Sequence, residues 1–436
     1  MTCDLLVLGG GMAGLAAATR VAEMGGSVIV AEKGPRLGGS ATLSAGILWT
    51  APDSETMRRV VPGGDLALGT ALAEGFEAAV EWIRSFGVFV SERWESQMGF
   101  GSAVHVDVAA LFEKWRDRIE RSGRIMLDTA GRRLLVDGAG RVRGAEVSSP
   151  SGTVELQAGA VLLATGGFQG NPDLRAGFIG GQAGSMLVRS NPWSTGDGFR
   201  LGRQAGAATS RCLGAFYGHL VPSPLPGWSE QHFLSLTQYY SHNALLVNRD
   251  GRRFTDESLG DEVSNQATLH QPGARAVLLC DHAVRVRYAA EAPYPHGQVI
   301  DRIAAARAAG ARVAIAHTLP ELIDTVVGWG VERQALAETL EQWKDPHDPL
   351  REPPFYALEV QPTITFSFGG LAVDAGGRVL DRTARPVPGL VAAGADAGGL
   401  QDRRYVGGLV LGAVFGPRAA EAALGSGPRE AITADD

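Results

Sequence analysis

Gly9, Gly11 and Gly14 stand in a GxGxxG spacing, directly after the apolar run Asp4–Leu8 and at the opening of a stretch of small residues that reads as a helix. Glycines let the backbone turn tightly and approach a phosphate, and a helix N-terminus adds free N–H groups and a favourable dipole. A second apolar run, Ser27 to Glu32, ends on a carboxylate that can accept hydrogen bonds from a ribose. Strand, glycines, helix, second strand and acid make one βαβ unit for a dinucleotide, with FAD and NAD both open on this motif alone. Met12, Ala13 and Lys33 fall inside the segment that would line it.

Other residues with chemical potential lie far along the chain. Asp261 and Glu262 follow RRFTDESLG, and a carboxylate there is a candidate general base or a solvated turn residue. His219, in FYGHLVP, titrates near neutrality and is a proton carrier or a structural histidine. Arg403 and Arg404 could clamp a substrate carboxylate bidentately or be surface charges, and Tyr405 could donate to a developing oxyanion or simply pack. Tyr239 and Tyr240, in TQYYSHN, are candidate walls of a substrate pocket.

Positioning these groups requires more than one core. A chain of 436 residues predicts two lobes, and 45% hydrophobic and 20% charged residues are globular values. Strands are expected over 125–136, 141–147 and 153–163, separated by turn signals at Asp137-Gly138 and Pro150-Ser151-Gly152, the last strand running into ATGGF. From about Leu213 to Phe355 proline and aromatic density rises and helical periodicity appears at LPELIDTVV and ERQALAETLEQW. Strand-like patterns return at ITFSFGGLAVD and GLVAAGADAGG, before a helix from about Gly408 to Leu424 and a polar tail expected to fray. The expected division is therefore a discontinuous first domain, 1–213 and 356–436, with 214–355 inserted in it. The fold class is α/β with an α+β cap: a Rossmann-like domain carrying an inserted capping domain.

A net charge of −7 argues against nucleic acid and anionic membrane as partners. Three cysteines without CxxC spacing fit a reduced compartment and predict no metal site. The start, MTCDLLVLGGGMAG, lacks a signal-peptide pattern and is broken by glycines, which points to a cytoplasmic protein.

After the fingerprint come GPRLGGSATLSAGILW, VLLATGGF, STGDGFRLGRQAGA, LLVNRDGRRFTDES, FSFGGLAVDAGGRVLD and GLVAAGADAGGL. In this order they resemble the successive signatures of the succinate dehydrogenase and fumarate reductase flavoprotein family, over nearly the whole chain. The resemblance implies non-covalent FAD, since no histidine lies near GGSATLSAG, and an active site where the lobes meet. Gly38, Gly39, Ser40, Ala41, Thr42, Ser44, Ala45 and Gly46 would then line pyrophosphate and flavin. Ala164, Thr165, Gly166, Asp197, Gly394, Ala395 and Asp396 would contact the cofactor, although the family often has Glu where Asp396 stands. Gly408 and Leu409 would offer helix N-terminal N–H groups to the flavin pyrimidine carbonyls.

The departures bear on substrate. Where fumarate reductases carry a proton-donating arginine this chain has Asp261, where they carry a histidine pair it has Thr365, Phe366 and Ser367, and Tyr405 replaces their carboxylate-clamping arginine. The tyrosine-glycine arrangement is similar to that of ketosteroid dehydrogenase and tricarballylate dehydrogenase members. That similarity implies a desaturase: Tyr405 and the Leu409 N–H polarise a carbonyl, Asp261 or Glu262 takes the α-proton, and a β-hydride leaves to flavin N5. His219 falls near a position where family members contact substrate. The same chemistry reversed gives an ene-reductase, while a flavin monooxygenase, an amine oxidase or a non-catalytic flavoprotein subunit are further alternatives. No second dinucleotide fingerprint is evident, so electrons are expected to pass to an external acceptor.

Overall fold

The computed structural model describes residues 2–295, 297–343 and 350–425, and the polar tail at 430–436 lies outside them. The chain divides into two units, one of Met1–Ile179, Ser190–Ala215 and Phe366–Asp436, the other of Gly180–Arg189 and Phe216–Thr365. Among the described residues no helix is long and apolar enough to cross a membrane.

The first unit is built on a parallel sheet. Strand β1 (Thr2–Leu8) lies between β2 (Val28–Ala31) and β3 (Gly152–Leu163), and β4 (Pro386–Ala392) adds to the far side of β3, all parallel. Buried on both faces, β1 and β2 read as near-continuous apolar runs. β3 changes character along its length. Its first four residues are exposed where it pairs antiparallel with Val142–Ser149, burial then alternates to Ala160, and Val161-Leu162-Leu163 is wholly buried against β1.

The strand expected over 125–136 is two strands, Gly123–Met126 parallel to β2 and Ala130–Val136 antiparallel to Val142–Ser149. Asp128, at φ +49°, makes the break, and the N–H groups of Asp128 and Thr129 turn to the carbonyls of Gly34 and Glu32. A turn-forming acid inside an apolar stretch decided this, against the β propensity on either side.

Helix α1 (Met12–Glu23) is buried through its first eight residues, and helix α3 (Leu409–Leu424) packs on it through small residues. A Cβ on Gly412 would come within 2.7 Å of Ala13 N, and one on Gly416 within 2.5 Å of Ala13 O. Only glycine permits that approach. Between α1 and α3 in sequence lies α2 (Asp197–Gln204), opened by Gly196 in the left-handed region at φ +86°.

The second unit is centred on the strand Phe355–Ile364, every residue of which is buried. It pairs antiparallel with Ala276–Cys280, Val313–Ala316 and Leu220–Pro222, and parallel with Leu187–Val188. One face is packed by Leu220, Tyr240, Leu278, Tyr356 and Leu358, the other by Leu245, Val277, Leu279, Ala357 and Leu336. This pairing sets the limits of the unit: it extends to Thr365, beyond the expected 355, and it takes in 180–189, because Leu187–Val188 hydrogen-bonds to its central strand.

Replacing Gly416 by valine forces branched atoms into the Ala13 carbonyl, and overpacking of this kind costs about 1–3 kcal/mol. Urea unfolding of Gly416→Val should show a lower midpoint, and a midpoint equal to the parent's would mean that the two helices have slack.

Candidate functional site

The glycines after β1 divide by what their missing side chains would strike. A Cβ on Gly9 would lie 2.2 Å from Ala164 O and one on Gly14 1.9 Å from Gly9 O, so the fold itself demands both. Gly11 is different: its nearest neighbour would be Gly38 O at 3.8 Å. The space before it is open, and Gly11 is the N-cap of α1 with no side-chain hydrogen bond closing that end. An open cradle over uncapped N–H groups suits a pyrophosphate. Met12 and Ala13 form the first turn behind it. At the end of β2, Glu32 accepts from Gly10 N and Gly34 N, each at 2.6 Å, so the carboxylate ties both loops together and retains lone pairs for ribose hydroxyls.

The segment 38–46 turns beside this cradle. Gly38 N donates to Gly10 O at 2.7 Å, and Gly39–Leu43 forms a single tight helical turn. Ser40 Oγ is hydrogen-bonded to Ser190 Oγ and accepts from Asn191 Nδ2, each at 2.6 Å; Thr42 and Ser44 hydroxyls close the turn onto Gly39 O and Ala41 O. Ala45 and Gly46 lead into the next strand, with Gly46 at φ +71°.

Asp396, in the short turn Gly394–Asp396, is fully buried and does not have the free carboxylate that a ribitol contact needs. It accepts from Thr165 N, from Thr165 Oγ1 at 3.1 Å and from Gly167 N at 3.2 Å, clamping the Ala164–Gly166 turn that packs on Gly9. Burial raises its pKa above the ordinary aspartate value, the three donors opposing. Its part in cofactor binding is thus to shape the turn. Ala395 lies inside the same turn. Lys33 and Asp197, both expected on the cofactor, are joined to each other at 2.6 Å, with Lys33 also donating to Thr195 Oγ1 and Arg200 donating to Asp197. Half-buried opposite charges pair with each other more readily than they stay open.

The N-terminus of α3 brings two expected groups together. Gly408 is its N-cap, without a side-chain cap, and a Cβ added there would lie 3.1 Å from the Tyr405 hydroxyl. Tyr405 is held edge-on by Trp49 at 5.2 Å and by Phe366 at 6.0 Å. Its phenol therefore stands over the start of the helix whose first N–H belongs to Leu409. Arg403 is exposed, and Arg404 lies over the Phe100 ring at 5.1 Å.

In the second unit, Asp261 and Glu262 open the helix Asp261–Leu269 and both are buried, which excludes the solvated-turn reading. Asp261 is hydrogen-bonded to Nδ1 of His219, itself only 2% exposed. Tyr217 and Tyr239 meet the His219 ring edge-on at 4.8 and 5.0 Å. Tyr239 lines this cluster, its hydroxyl accepting from Arg189 at 3.0 Å and its ring lying 5.3 Å from the Arg302 guanidinium. Tyr240, expected as a second wall residue, is 2% exposed in the hydrophobic core and packs there instead. In a tight turn, adjacent tyrosines face opposite ways.

Two further residues escaped the sequence reading. Arg189, 8% exposed, also donates to Phe233 O and Thr237 Oγ1 and is the cation nearest this cluster. Trp193 is an exposed aromatic whose indole comes within 3.1 Å of a Cβ placed on Gly34, beside the Glu32 carboxylate. The signal for Trp193 was the SNPWSTGDG segment, where a tryptophan sits among turn residues.

Glu32→Ala removes the ribose acceptor and the two bonds holding Gly10 and Gly34. Hydrogen bonds to a charged group contribute about 1.5–3 kcal/mol each, so the Kd for FAD should rise about tenfold or more. Titrating apoprotein with FAD checks this, and an unchanged constant would remove the carboxylate from the site.

Residues 4–409 match the family model described as FAD binding domain. The chain is 28% identical to the fumarate reductase (cytochrome) of Shewanella frigidimarina, over 97% of this chain and 77% of that one. It is 24% identical to the 4-oxocyclohexanecarboxylate 2-dehydrogenase of Sinomonas cyclohexanicum, over 95% of this chain and 91% of that one. Its fold is similar to that of the 3-ketosteroid delta1-dehydrogenase from Sterolibacterium denitrificans solved with 1,4-androstadiene-3,17-dione, with a TM-score of 0.78 and 20% identity over 97% of this chain and 99% of that one. A family match of that extent, on a cradle whose one unexplained glycine leaves room for a pyrophosphate, means that the chain belongs to the FAD binding domain family, with the succinate dehydrogenase and fumarate reductase flavoproteins, and is an FAD-dependent oxidoreductase acting on CH–CH bonds.

Proposed function

We propose that the chain dehydrogenates a small carbonyl or carboxylate compound, placing a C=C bond next to the carbonyl. The observation that carries this reading is the Tyr405 hydroxyl standing over Gly408 at an uncapped helix N-terminus. A phenol O–H and the Leu409 N–H there serve an oxygen that gains negative charge, and donors aimed at developing charge lower the barrier most. Polarised in this way, a ketone has an acidified neighbouring C–H. FAD, when bound, would supply the two-electron acceptor for the hydrogen on the next carbon. Gly11, Glu32, Ser40 and the α3 N-terminus would hold it, with Trp193 beside Gly34 and the Glu32 carboxylate.

The identity to a fumarate reductase favours the reverse direction, the reduction of an activated double bond. Against it, by the resemblance noted above, Tyr405 stands where fumarate reductases carry their carboxylate-clamping arginine. One experiment separates the two. Anaerobic holoenzyme is mixed with cyclohexanone, 4-oxocyclohexanecarboxylate, a 3-ketosteroid and succinate, and chemically reduced enzyme with fumarate. Bleaching of the flavin by a saturated ketone supports the dehydrogenase. Fast reoxidation by fumarate, with no bleaching by any saturated compound, would replace it with the reductase.

Two expectations accompany this. Acid precipitation should leave FAD in the supernatant, because no histidine lies within residues 38–46 to bond it covalently; flavin in the pellet would contradict this. Tyr405→Phe deletes one donor to the developing oxyanion, so flavin reduction by a bleaching ketone should slow about 10²–10³-fold while FAD stays bound. An unchanged rate would confine Tyr405 to packing against Trp49 and Phe366.

A further inference from the structure

We infer that Trp193 recognises the adenine of FAD: its indole is the stacking face that makes the site select a purine dinucleotide, and Gly34 keeps the slot in front of it open. Every residue involved belongs to the first unit, and the role holds whichever way the enzyme runs, since it rests on FAD alone.

The residue is fixed, not merely exposed. Trp193 is 46% exposed, yet its backbone N–H donates to Asn191 Oδ1 at 2.8 Å and its carbonyl accepts from Thr195 N at 2.9 Å. The turn that carries it is tied to its surroundings on four sides. Asn191 Nδ2 donates to Ser40 Oγ at 2.6 Å, Lys33 Nζ to Thr195 Oγ1 at 2.7 Å, Gly170 N to Ser194 O at 2.8 Å and Asn171 Nδ2 to Thr195 O at 3.3 Å. Two of these anchors, Lys33 and Ser40, lie in the segments beside the dinucleotide cradle, so turn and cradle form one piece.

Gly34 marks the space. A Cβ there would lie 3.1 Å from Glu32 Oε1 and 3.1 and 3.2 Å from Cδ1 and Nε1 of the indole, so the ribose acceptor and the aromatic ring border the same small volume. The φ of Gly34 lies outside the left-handed region, so the backbone does not call for glycine and the missing side chain serves to leave room. The slot also lies at the C-terminal ends of two neighbouring parallel strands, β2 and Gly123–Met126, where open α/β sheets take their ligands. The chain leaving the second strand runs alongside: Asp128 N donates to Gly34 O at 3.1 Å and Thr129 N to Glu32 O at 2.8 Å, and Leu127 just before them is 41% exposed. In an adenosine whose ribose is held by Glu32 the base is one glycosidic bond further on, within the span to the indole. Base and indole gain by stacking, a purine more than a pyrimidine because it overlaps more π surface. Adenine is neutral and needs no counter-charge, which agrees with Lys33 being engaged by Thr195 and Asp197.

The test is binding, not turnover. Apoprotein of the full chain is titrated calorimetrically with FAD, ADP and UDP, and the parent should bind ADP several-fold more tightly than UDP. Loss of base–aromatic stacking should raise the Kd for FAD about 5–100-fold in Trp193→Ala, while Trp193→Phe, which keeps a ring, stays close to the parent. The preference for ADP should vanish in Trp193→Ala with the urea midpoint retained. A tryptophan that only shapes the turn would, on removal, weaken ADP and UDP by the same factor and leave their ratio alone. Should Trp193→Ala not fold, Gly34→Ala, which fills the slot and keeps the indole, decides by the same ratio. A Kd for FAD equal to the parent's in Trp193→Ala, an ADP-to-UDP ratio that survives the substitution, or a parent without that preference overturns the role of Trp193 and leaves FAD in place. A parent that does not bind FAD overturns the cofactor beneath it as well.

Discussion

The first unit depends on one steric constraint, the contact of α3 with α1 through Gly412 and Gly416. Side chains there would push the helices apart by ångströms, and what those ångströms control is the position of two helix N-termini, neither with a side-chain cap. Each end carries N–H groups with no internal partner and about half a positive charge from its dipole. Packed elsewhere they would be buried donors without acceptors. Set side by side, they form a ready place for anionic and carbonyl oxygens. Gly9 against Ala164, and Asp396 against Thr165 and Gly167, extend the same logic to the neighbouring turn, which is shaped by backbone approach and held by one buried carboxylate.

The second unit solves a different problem. It buries Arg189, Arg302, His219, Asp261 and Glu262 around a sheet whose central strand is otherwise closed to water. A buried charge is tolerated only when its hydrogen-bonding capacity is met. Arg189 does this on Phe233 O, Thr237 and Tyr239, whereas Arg302 does so only through Nη1, on the carbonyls of Glu291 and Ile300, its Nε having no partner among the described residues. Such a network costs more than an apolar core of the same shape. A fold that keeps one gains fixed geometry at a polar site.

What the sequence disclosed follows from the range of each interaction. The dinucleotide cradle was legible because strand, glycines, helix and acid lie within about thirty residues and each residue type has a local steric reason. The helices Leu319–Val327 and Leu409–Leu424 were legible from periodicity and a bounding glycine. The pairing of Asp261 with His219 was not, because 42 positions separate them and nothing local distinguishes a buried acid after a turn from a solvated one. The engagement of Asp396, 231 positions from Thr165, was hidden for the same reason. The domain limit at 355 was set by composition, whereas the real limit is set by which sheet the strand Phe355–Ile364 joins. Tyr239 and Tyr240 differ only in the facing of a turn, which a dipeptide cannot reveal.

The substitution of tyrosine for arginine at position 405 also narrows the substrate on physical grounds. An arginine clamp binds a carboxylate equally in ground and transition states, because the charge is there throughout. A neutral phenol beside a helix N-terminus gains most when an oxygen passes from carbonyl to enolate, since its hydrogen bond strengthens as the charge arrives. On the dehydrogenase proposal, a site with Tyr405 over Gly408 would therefore reward substrates whose carbonyl oxygen is neutral before reaction, ketones above carboxylates. For a ketone the α-proton is also far easier to remove than for a carboxylate, whose existing charge opposes a second one, so a weaker base would suffice.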